Sequence, residues 1–325
     1  MRIAIYGIGA VGGLLAARLA RAGYEVSAVA RGATLETLRA HGIRVESSDG
    51  ITAARVTAAE DPAALGPQAL VILAVKAPAL ADVARRIGPL LGPDTVVLTA
   101  MNGVPWWFFD GFGGTLSGTR LRSVDPDGAI AAGIPSRHVV GGVVHLAATL
   151  LQPGVVRHAA ENRLVVGEPA GGESERVRAI AQALRAAGFE VEVSRRIQAA
   201  AWYKLWGNMT MNPVSALTGA TCDRILDDPL TRRLCLDVMA EAARIGARIG
   251  CEIPQSGEDR LLITRRIGAF KTSMLQDVEA GRPVELDTLV AAVREIGALV
   301  GEPTPWIDAL LGLARLHART RRLYP

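Results

Sequence analysis

The sequence predicts an α/β protein of two domains, in which a domain built on a parallel sheet is followed by an all-helical domain. Three observations lead to this prediction. Strands and helices alternate through the first half, a glycine-rich turn directly follows the first strand, and strand signals stop beyond Arg195. Such alternation is typical of βαβ units around a parallel sheet. We therefore expect one domain at residues 1–195 and a second at residues 196–325.

Short runs of β-branched and other apolar residues mark the strands of the first domain. In chain order these runs are RIAIY, EVSAVA, IRVES, ALVILAV and TVVLT, followed by HVVGGVVHLAAT, GVVRHA and RLVVGE. Helices are predicted at VGGLLAARLARAG, ATLETLRAHG and APALADVARRIGPLL, the first reaching Gly23, a residue type that commonly follows a helix. A helix from about Ser174 to Ala187 and the strand FEVEV complete this domain.

Beyond Arg195 the apolar residues recur at helical spacing rather than strand spacing. The predicted helices lie in the stretch that contains AWYKLWGNMTMNP, in PLTRRLCLDVMAEAARIGARIG, around Ile267 to Ala280, in LDTLVAAVREIGALVG and in PWIDALLGLARLHARTRR. Because these helices are rich in apolar residues, a homodimer that buries the last of them against a second copy is plausible.

The composition excludes disordered and membrane-spanning proteins. At 325 residues, of which 50% are hydrophobic, the chain can bury more than one sizeable core. It opens on the apolar run MRIAIY without the pattern of a signal peptide, and no apolar run approaches the ~20 residues of a membrane-spanning helix. We therefore expect a cytoplasmic protein that has no membrane partner.

The cysteines and histidines do not form a metal-binding pattern. Three cysteines, at positions 222, 235 and 251, are odd in number and too far apart for a CxxC pair, so reduced, buried thiols are expected. The five histidines, at positions 41, 138, 145, 158 and 317, include no His-x-x-His or Glu-x-x-His pair. Structural roles are therefore favoured for them, and no metal site is predicted.

The excess of basic residues is small and dispersed. The formal net charge is +4, and Lys and Arg are scattered among carboxylates along the whole chain, so only the final ARTRRLYP is visibly basic. Aromatic residues make up 4% of the chain, and no basic run is interleaved with them. We therefore expect small anionic ligands and no nucleic-acid partner.

The glycine-rich turn YGIGAVGG indicates a dinucleotide site. Gly7, Gly9 and Gly12 have the GxGxxG spacing, directly after a predicted strand and at the start of a predicted helix, which is the context of a Rossmann-type domain. The first glycine permits a tight turn, the second lets a pyrophosphate approach, and the third allows close packing of helix and sheet. The predicted cofactor-binding residues of this turn are Gly7, Ile8, Gly9, Ala10, Val11 and Gly12.

The end of the second predicted strand indicates which dinucleotide binds. NAD enzymes usually place Asp or Glu there to accept from the ribose 2′-hydroxyl, whereas this chain has Arg31. A cation suits a 2′-phosphate, so NADPH is the expected cofactor. Lys76, which closes the strand ALVILAVK, can reach the same phosphate; the alternative is an exposed lysine without a ligand.

A polar stripe in an apolar helix indicates the chemistry. Lys204, Asn208 and Asn212 are four residues apart, so they share one helical face, while Trp202 and Trp206 make the surroundings apolar. The alternative is a solvated helix face. A lysine in apolar surroundings has a lowered pKa, which suits a general acid that protonates a carbonyl oxygen during reduction.

A second polar cluster lies further along the chain, in KTSMLQDVEAGRPVELD. Its members are Ser273, Gln276, Asp277, Glu285 and Asp287. The residues alone leave two interpretations of the acidic members open, a role in the site or a role as helix caps and surface charges.

These motifs together resemble the ketopantoate reductase (2-dehydropantoate 2-reductase) family, in both domains and in the same order. The shared pieces are the GxGxxG turn with Arg31, Lys76 at a strand end, MNG at 101–103, the Lys204, Asn208 and Asn212 series, and SMLQDVEAGRPVELD. The resemblance implies a Rossmann-type domain followed by a helical domain related to that of 6-phosphogluconate dehydrogenase. It also implies reduction of a 2-oxo acid by NADPH.

The resemblance further implies individual roles. Lys204 is the expected proton donor to the C2 carbonyl oxygen, and Glu285 is the expected catalytic carboxylate beside substrate and cofactor. Asn102 falls on a position that touches both cofactor and substrate. The expected substrate-binding residues are Asn102, Lys204, Asn208, Asn212 and Ser273, and the expected cofactor contacts include Lys76, Asn102 and Glu285.

Two features depart from the family pattern. The segment after Asn102, VPWWFFDGFGGTLSGTRLRSVDPDG, is longer and more aromatic than the usual link, and either a lid or pocket wall or a buried surface loop would explain it. Cys222 stands where the family usually has a substrate-binding asparagine. Reduction of a different 2-oxo or 3-oxo acid, or non-catalytic NADPH sensing, are therefore the alternatives to ketopantoate reduction.

Overall fold

The computed structural model describes residues 1–325, which form two compact units. The first, called the sheet unit, comprises Met1–Met101, Asp110–Phe112 and Gly128–Ala200. The second, called the helical unit, comprises Asn102–Phe109, Gly113–Asp127 and Ala201–Pro325.

This division differs from the single boundary expected at residue 195, because most of the segment 102–127 belongs to the helical unit. The reason is packing. The ring of Phe108 lies 6.0 Å from that of Trp202, and the backbone N–H of Val104 donates to the carbonyl of Thr288 at 2.8 Å. Because aromatic side chains bury large apolar areas, they determine which core a segment joins.

The sheet unit contains one ten-stranded sheet. Its strands are β1 (Arg2–Tyr6), β2 (Glu25–Val29), β3 (Ile43–Ser47), β4 (Gly50–Ala54), β5 (Thr57–Ala59), β6 (Leu70–Leu73), β7 (Val96–Ala100), β8 (Val139–Gln152), β9 (Val155–Gly167) and β10 (Glu190–Val193). The order across the sheet is β4-β3-β9-β8-β7-β6-β1-β2-β5, and β10 pairs with β9.

The part of the sheet from β5 to β8 is parallel throughout. β1 lies between β2 and β6, with Ile3 opposite Val26 on one side and Leu70 on the other. Numbered along the chain, these six strands have the order 3-2-1-4-5-6, which is the strand order of dinucleotide-binding folds. The remaining strands extend the sheet through the antiparallel pairs β8–β9 and β3–β4.

Five helices belong to the sheet unit: α1 (Ala10–Arg21), α2 (Gly32–His41), α3 (Leu80–Arg86), α4 (Ala129–Gly133) and α5 (Glu175–Ala186). The core that they share with the sheet includes Leu14, Leu15 and Leu19 of α1, all fully buried. α3 is shorter than predicted because Pro78 and Pro89 confine the flanking residues to short 3₁₀ turns.

Seven helices follow: α6 (Ile197–Thr218), α7 (Cys222–Asp227), α8 (Pro229–Arg248), α9 (Gly257–Ile267), α10 (Ser273–Glu279), α11 (Ala292–Val300) and α12 (Pro305–Thr320). A π-helical turn, Asp287–Ala291, directly precedes α11. All but the first four residues of α6 belong to the helical unit. None of the twelve helices combines the length and apolar character that crossing a membrane requires.

The helix expected around Ile267 to Ala280 was wrong in its first half. α9 ends at Ile267 because Gly268 adopts a φ of +81°, a conformation that glycine tolerates best. α10 begins at Ser273, where the hydroxyl of Thr272 accepts a hydrogen bond from the N–H of Leu275 at 3.2 Å. The chain between them is therefore a connection between two helices. No strand was predicted for β4, which is mostly exposed, or for β5, which is only three residues long.

α6 is fixed in the helical unit by its tryptophans. The indole N–H of Trp206 donates to the carbonyl of Met239 at 2.7 Å, and that of Trp202 donates to the carbonyl of Ala242 at 3.3 Å. A Cβ at Gly246 would lie 2.4 Å from the Trp202 indole nitrogen, so this glycine is needed for close approach of α8. Both indoles are buried, and their polar atoms are satisfied by α8.

Candidate active site

The glycine-rich turn has the shape that the sequence predicted. β1 ends at Tyr6, and α1 begins at Ala10. Gly7 has a φ of +95°, and a Cβ at Gly12 would lie 2.0 Å from the Gly7 carbonyl oxygen, so neither position accepts a larger residue without a shift. A Cβ at Gly9 would meet nothing within 4 Å, so the space in front of Gly9 is open to a ligand.

A pocket of about 330 Å³ adjoins this turn within the sheet unit. Five of the expected cofactor-binding residues line it, namely Gly7, Ile8, Gly9, Arg31 and Lys76. Arg31 directly precedes α2, and Lys76 directly precedes the 3₁₀ turn Ala77–Ala79. The remaining residues of the predicted turn, Ala10, Val11 and Gly12, form the first turn of α1.

Five further residues with polar side chains line this pocket that the sequence did not single out: Tyr6, Thr34, Glu60, Asp82 and Arg86. The Arg86 guanidinium donates to the Glu60 carbonyl at 3.0 Å. Tyr6 directly precedes Gly7 at the end of a strand, and this position could have marked it in the sequence as a cofactor contact. Arg86 lies ten residues beyond Lys76 along the chain, and no local pattern marks it.

The residues of this pocket fit a phosphorylated dinucleotide. The hydroxyl of Tyr6 is buried and has no hydrogen-bond partner. Burial raises the pKa of this phenol, against the opposing effects of Arg86 and Arg31, so it stays a donor at neutral pH. The cationic side chains at positions 31, 76 and 86 and the open space at Gly9 suit a ligand that carries phosphates. The unpaired hydroxyl of Tyr6 suits a ligand that also has hydrogen-bonding ring atoms.

The polar stripe of the helical unit lies on one continuous helix, as predicted. Lys204, Asn208 and Asn212 belong to α6, where they occupy one face at four-residue spacing. Asn212 is buried, and Lys204 and Asn208 are half-buried. The neighbouring Trp202, Leu205, Trp206 and Met209 are all buried. The alternative of a fully solvated helix face is therefore wrong.

Two of the expected substrate-binding residues are in direct contact. The side-chain amide of Asn212 donates to the hydroxyl of Ser273, the first residue of α10, at 3.5 Å. This bond joins the stripe to the second polar cluster of the sequence. Glu285 is half-buried and lies two residues before the π-helical turn, and its carbonyl accepts from the N–H of Leu289 at 3.2 Å. Such π-helical turns are frequent at functional sites.

Asn102 lies in the helical unit rather than on the sheet. Its side-chain oxygen is buried and has no hydrogen-bond partner, so it can accept from a ligand. The next residue, Gly103, has a φ of +85°, and a Cβ there would lie 2.6 Å from the Thr288 side chain. All of the expected substrate-binding residues and both catalytic candidates therefore belong to the helical unit.

The aromatic segment after Asn102 is part of the core of the helical unit. Trp106, Trp107, Phe108 and Phe109 are all buried, and the two phenylalanine rings pack edge to face at 5.1 Å. Of the two interpretations of this segment, its burial favours packing over a lid. The far end of the segment is held by Glu295, whose carboxylate accepts from the backbone N–H groups of Arg122 at 2.7 Å and Ser123 at 2.8 Å.

The expected buried thiols are present. Cys222 is fully buried, and burial raises its pKa to about 12, with smaller contributions from Cys235 and Asp223. A neutral thiol at this position offers no strong hydrogen bond to a substrate. Among the histidines, His138 pairs with the Thr95 carbonyl at 2.8 Å and His158 with the Glu161 carbonyl at 2.8 Å. The fold brings together no group of three potential metal ligands.

Comparison with known proteins identifies the family. Residues 3–107 match the model of ketopantoate reductase PanE/ApbA, and residues 196–318 match the model of the C-terminal part of the same family. A 2-dehydropantoate 2-reductase from Mesorhizobium japonicum is 47% identical over 325 residues, which is the full length of both chains.

Solved structures agree with this result. A candidate ketopantoate reductase from Ralstonia solanacearum MolK2 is 59% identical with a TM-score of 0.96, and 99% of each chain is covered. A 2-dehydropantoate 2-reductase from Geobacter metallireducens GS-15 is 28% identical with a TM-score of 0.86, covering 97% of this chain and 99% of the other. The predicted fold, a Rossmann-type domain followed by a helical domain, is confirmed. The chain belongs to the ketopantoate reductase family.

Proposed function

We propose that this protein reduces 2-dehydropantoate to pantoate with NADPH. The observation that carries the proposal is the gathering of the catalytic and substrate-binding candidates in the helical unit, with Lys204, Asn208 and Asn212 along one face of α6. The identity of 47% to a 2-dehydropantoate 2-reductase over the whole chain supports this substrate.

The sheet unit holds the cofactor in this proposal. Backbone N–H groups at the start of α1 bind the pyrophosphate, since the N-terminus of a helix attracts anions. Gly9 allows close approach there, because no atom occupies the position of its missing side chain. Arg31 and Lys76 bind the 2′-phosphate, which favours NADPH over NADH. The unpaired Tyr6 hydroxyl and the nearby Arg86 are further donors for the same ligand.

The chemical step needs a proton donor at the carbonyl oxygen. NADPH, when bound, supplies the hydride that reduces the C2 carbon. Lys204 donates its proton to the oxygen on which negative charge develops, as a general acid. Glu285, which lies in the same unit as Lys204, is the proposed catalytic carboxylate.

The substrate is held by neutral groups. Asn102, Asn208, Asn212 and Ser273 orient the carboxylate and hydroxyl of the substrate by hydrogen bonds, without adding charge. The contact of Asn212 with Ser273 at 3.5 Å fixes two of these groups relative to each other. An oriented substrate reacts faster because less motion is lost at the transition state.

The proposal is tested by NADPH oxidation with purified protein. Ketopantoate is compared with a panel of branched and aromatic 2-oxo acids and 3-oxo acids at equal concentration. We expect kcat/KM to be highest for ketopantoate. Faster turnover of another acid would move the function to that substrate, and tight NADPH binding with no turnover of any acid would indicate a sensor.

We also propose that the protein acts in the cytoplasm. Its three cysteines are buried and free, with no disulfide among them, which suits a reducing compartment. Fractionation of cells that express the tagged protein tests this assignment. Recovery of the protein outside the cytoplasmic fraction would contradict it.

A homodimer through α12 is the proposed assembly. Trp306, Leu313 and Leu316 of this helix are 47%, 61% and 62% exposed, and with Ala309 they follow the heptad-like spacing of a helix that packs against another. Analytical ultracentrifugation of the wild type and of Leu313→Glu measures the oligomeric state of each. A wild-type monomer would refute the dimer, and an unchanged dimer of the variant would refute this surface.

A further inference from the structure

The chain turns back directly after α12. Arg322 has a φ of +59°, which is a left-handed conformation, and its N–H donates to the carbonyl of Arg319 at 2.9 Å. The N–H of Leu323 then donates to the carbonyl of Ala318 at 2.8 Å. These two bonds close the end of the helix, so the segment Leu323–Pro325 is directed away from the helix axis.

This turn brings residues 323 and 324 against the segment that contains Glu285. The carbonyl of Leu323 accepts from the N–H of Val284 at 3.1 Å. The hydroxyl of Tyr324 donates to the Asp287 carboxylate at 2.5 Å. The two contacts fall one residue before and two residues after Glu285, so they hold its backbone from both sides.

Tyr324 is itself held in place. The guanidinium carbons of Arg315 and Arg319 lie 5.9 Å and 5.5 Å from the centre of its ring, which is the distance range of cation–π contacts. Arg319 also donates to the Pro325 carbonyl at 2.8 Å. Because its ring and its hydroxyl both make contacts, the Tyr324 side chain has little rotational freedom. Its hydrogen bond therefore restrains the side chain of Asp287.

Asp287 is the first residue of the π-helical turn. π-helical turns are rare overall and are frequent at functional sites. The bond from Tyr324 fixes the side chain of the first residue of this turn. On the other side of Glu285, Arg282 donates to the Asp277 carboxylate at 3.0 Å.

We propose that Tyr324 is a positioning residue for Glu285, acting through its hydrogen bond to Asp287 and through the pairing of Leu323 with Val284. The inference rests on the catalytic role of Glu285 that is given under Proposed function. It adds that the segment after α12 supports the reaction by positioning Glu285, without contacting substrate or cofactor. The family motif does not include residue 324.

Tyr324→Phe tests this role, since it removes only the hydroxyl and keeps the ring between the arginines. We expect kcat with ketopantoate to fall about 10-fold or more, because small displacements of a catalytic group have effects of this size. The dissociation constant of NADPH, measured by fluorescence titration, should change less than about 2-fold, since the pocket at the glycine-rich turn lies in the sheet unit, away from Tyr324 along the chain.

Thr304→Val is the matched control. It also removes one half-buried hydroxyl that donates to a carboxylate, that of Asp308 at 3.0 Å, but it does so at the other end of α12. We expect a similar change in Tm for both variants and a loss of kcat for Tyr324→Phe alone. An equal loss of kcat in both variants would mean that the effect is general stability, and would overturn the proposal.

A double-mutant cycle with Glu285→Gln separates this inference from the proposed function. If Tyr324 acts through Glu285, Tyr324→Phe should lower kcat less than about 2-fold in the Glu285→Gln background. The same fold-loss in both backgrounds would overturn the positioning role. Near-normal activity of Glu285→Gln would instead overturn the catalytic role of Glu285, and a normal Tyr324→Phe beside an impaired Glu285→Gln would overturn positioning alone.

Discussion

The glycine-rich turn of the sheet unit and the polar stripe of the helical unit are built on different principles. The turn depends on the absence of side chains, because a Cβ at Gly12 would lie 2.0 Å from the Gly7 carbonyl oxygen. The stripe depends on the presence of side chains at Lys204, Asn208 and Asn212 on a helix fixed by buried tryptophans. The turn shapes the cofactor pocket, whereas the stripe supplies the groups proposed for catalysis. Mutations in the turn should therefore change stability and cofactor binding, and mutations in the stripe should change turnover.

The largest effect is expected from Lys204→Ala, which removes the proposed proton donor. We expect kcat to fall by roughly two to four orders of magnitude, because general acid catalysis contributes that much. NADPH affinity should be nearly unchanged, since the cofactor candidates at the glycine-rich turn lie in the sheet unit. Steady-state kinetics and fluorescence titration measure the two quantities. Near-normal turnover would remove Lys204 from the mechanism.

Substitutions at Gly12 and Gly9 should have different effects on stability and on NADPH binding. Gly12→Ala forces a clash between α1 and the turn, so we expect unfolding free energy to fall by about 1–3 kcal/mol and NADPH binding to be lost. Gly9→Ala meets nothing within 4 Å, so its Tm should stay near that of the wild type while NADPH binding weakens. Thermal unfolding and titration of both variants check this, and equal losses of Tm would contradict the assigned roles.

Arg31→Ala tests whether the pocket prefers NADPH to NADH. Loss of a charge-assisted contact to the 2′-phosphate should weaken NADPH by about 1–3 kcal/mol and leave NADH nearly unaffected. Arg21→Ala, at an exposed arginine that ends α1, is the control for loss of one positive charge. The dissociation constants of both cofactors decide the question. Equal weakening of NADPH and NADH would argue against a 2′-phosphate contact.

The smallest effect concerns the aromatic segment that joins the helical unit. Glu295→Gln keeps one acceptor for the N–H groups of Arg122 and Ser123 but loses the second carboxylate oxygen. We expect stability to fall by about 1 kcal/mol with substrate preference unchanged, because the segment is a packing element. Glu258→Gln, at an exposed ion pair with Arg232, should have no measurable effect. A changed order of 2-oxo acids would instead mean that the segment shapes the substrate pocket.

The same contrast explains how far the sequence could predict the molecule. The turn and α6 were predictable because their information is local: glycines at fixed spacing, and polar residues four apart among apolar ones. The membership of Phe108 in the helical unit was not predictable, because it depends on contact with Trp202, which is 94 positions away along the chain. The role inferred for Tyr324 depends on a similar distant contact with Asp287.

The pocket in the sheet unit illustrates the same limit. Arg31 and Lys76 follow strand ends, where ligand contacts are expected in α/β folds, and both line the pocket. Arg86 reaches the same pocket from the end of α3, where nothing in the local sequence distinguishes it from Arg85. Local patterns therefore predict elements and motifs, whereas tertiary packing decides which further side chains join them.

The most direct test of the proposed reaction follows the hydride itself. Purified protein is incubated with ketopantoate and NADPH that carries deuterium at C4 of the nicotinamide on the transferred face, and the product is analysed by mass spectrometry and NMR. We expect pantoate with a single deuterium at C2, formed rapidly by the wild type and at least about 100-fold more slowly by Lys204→Ala. Absence of pantoate, or pantoate without the label, would contradict NADPH-dependent reduction of ketopantoate by this protein.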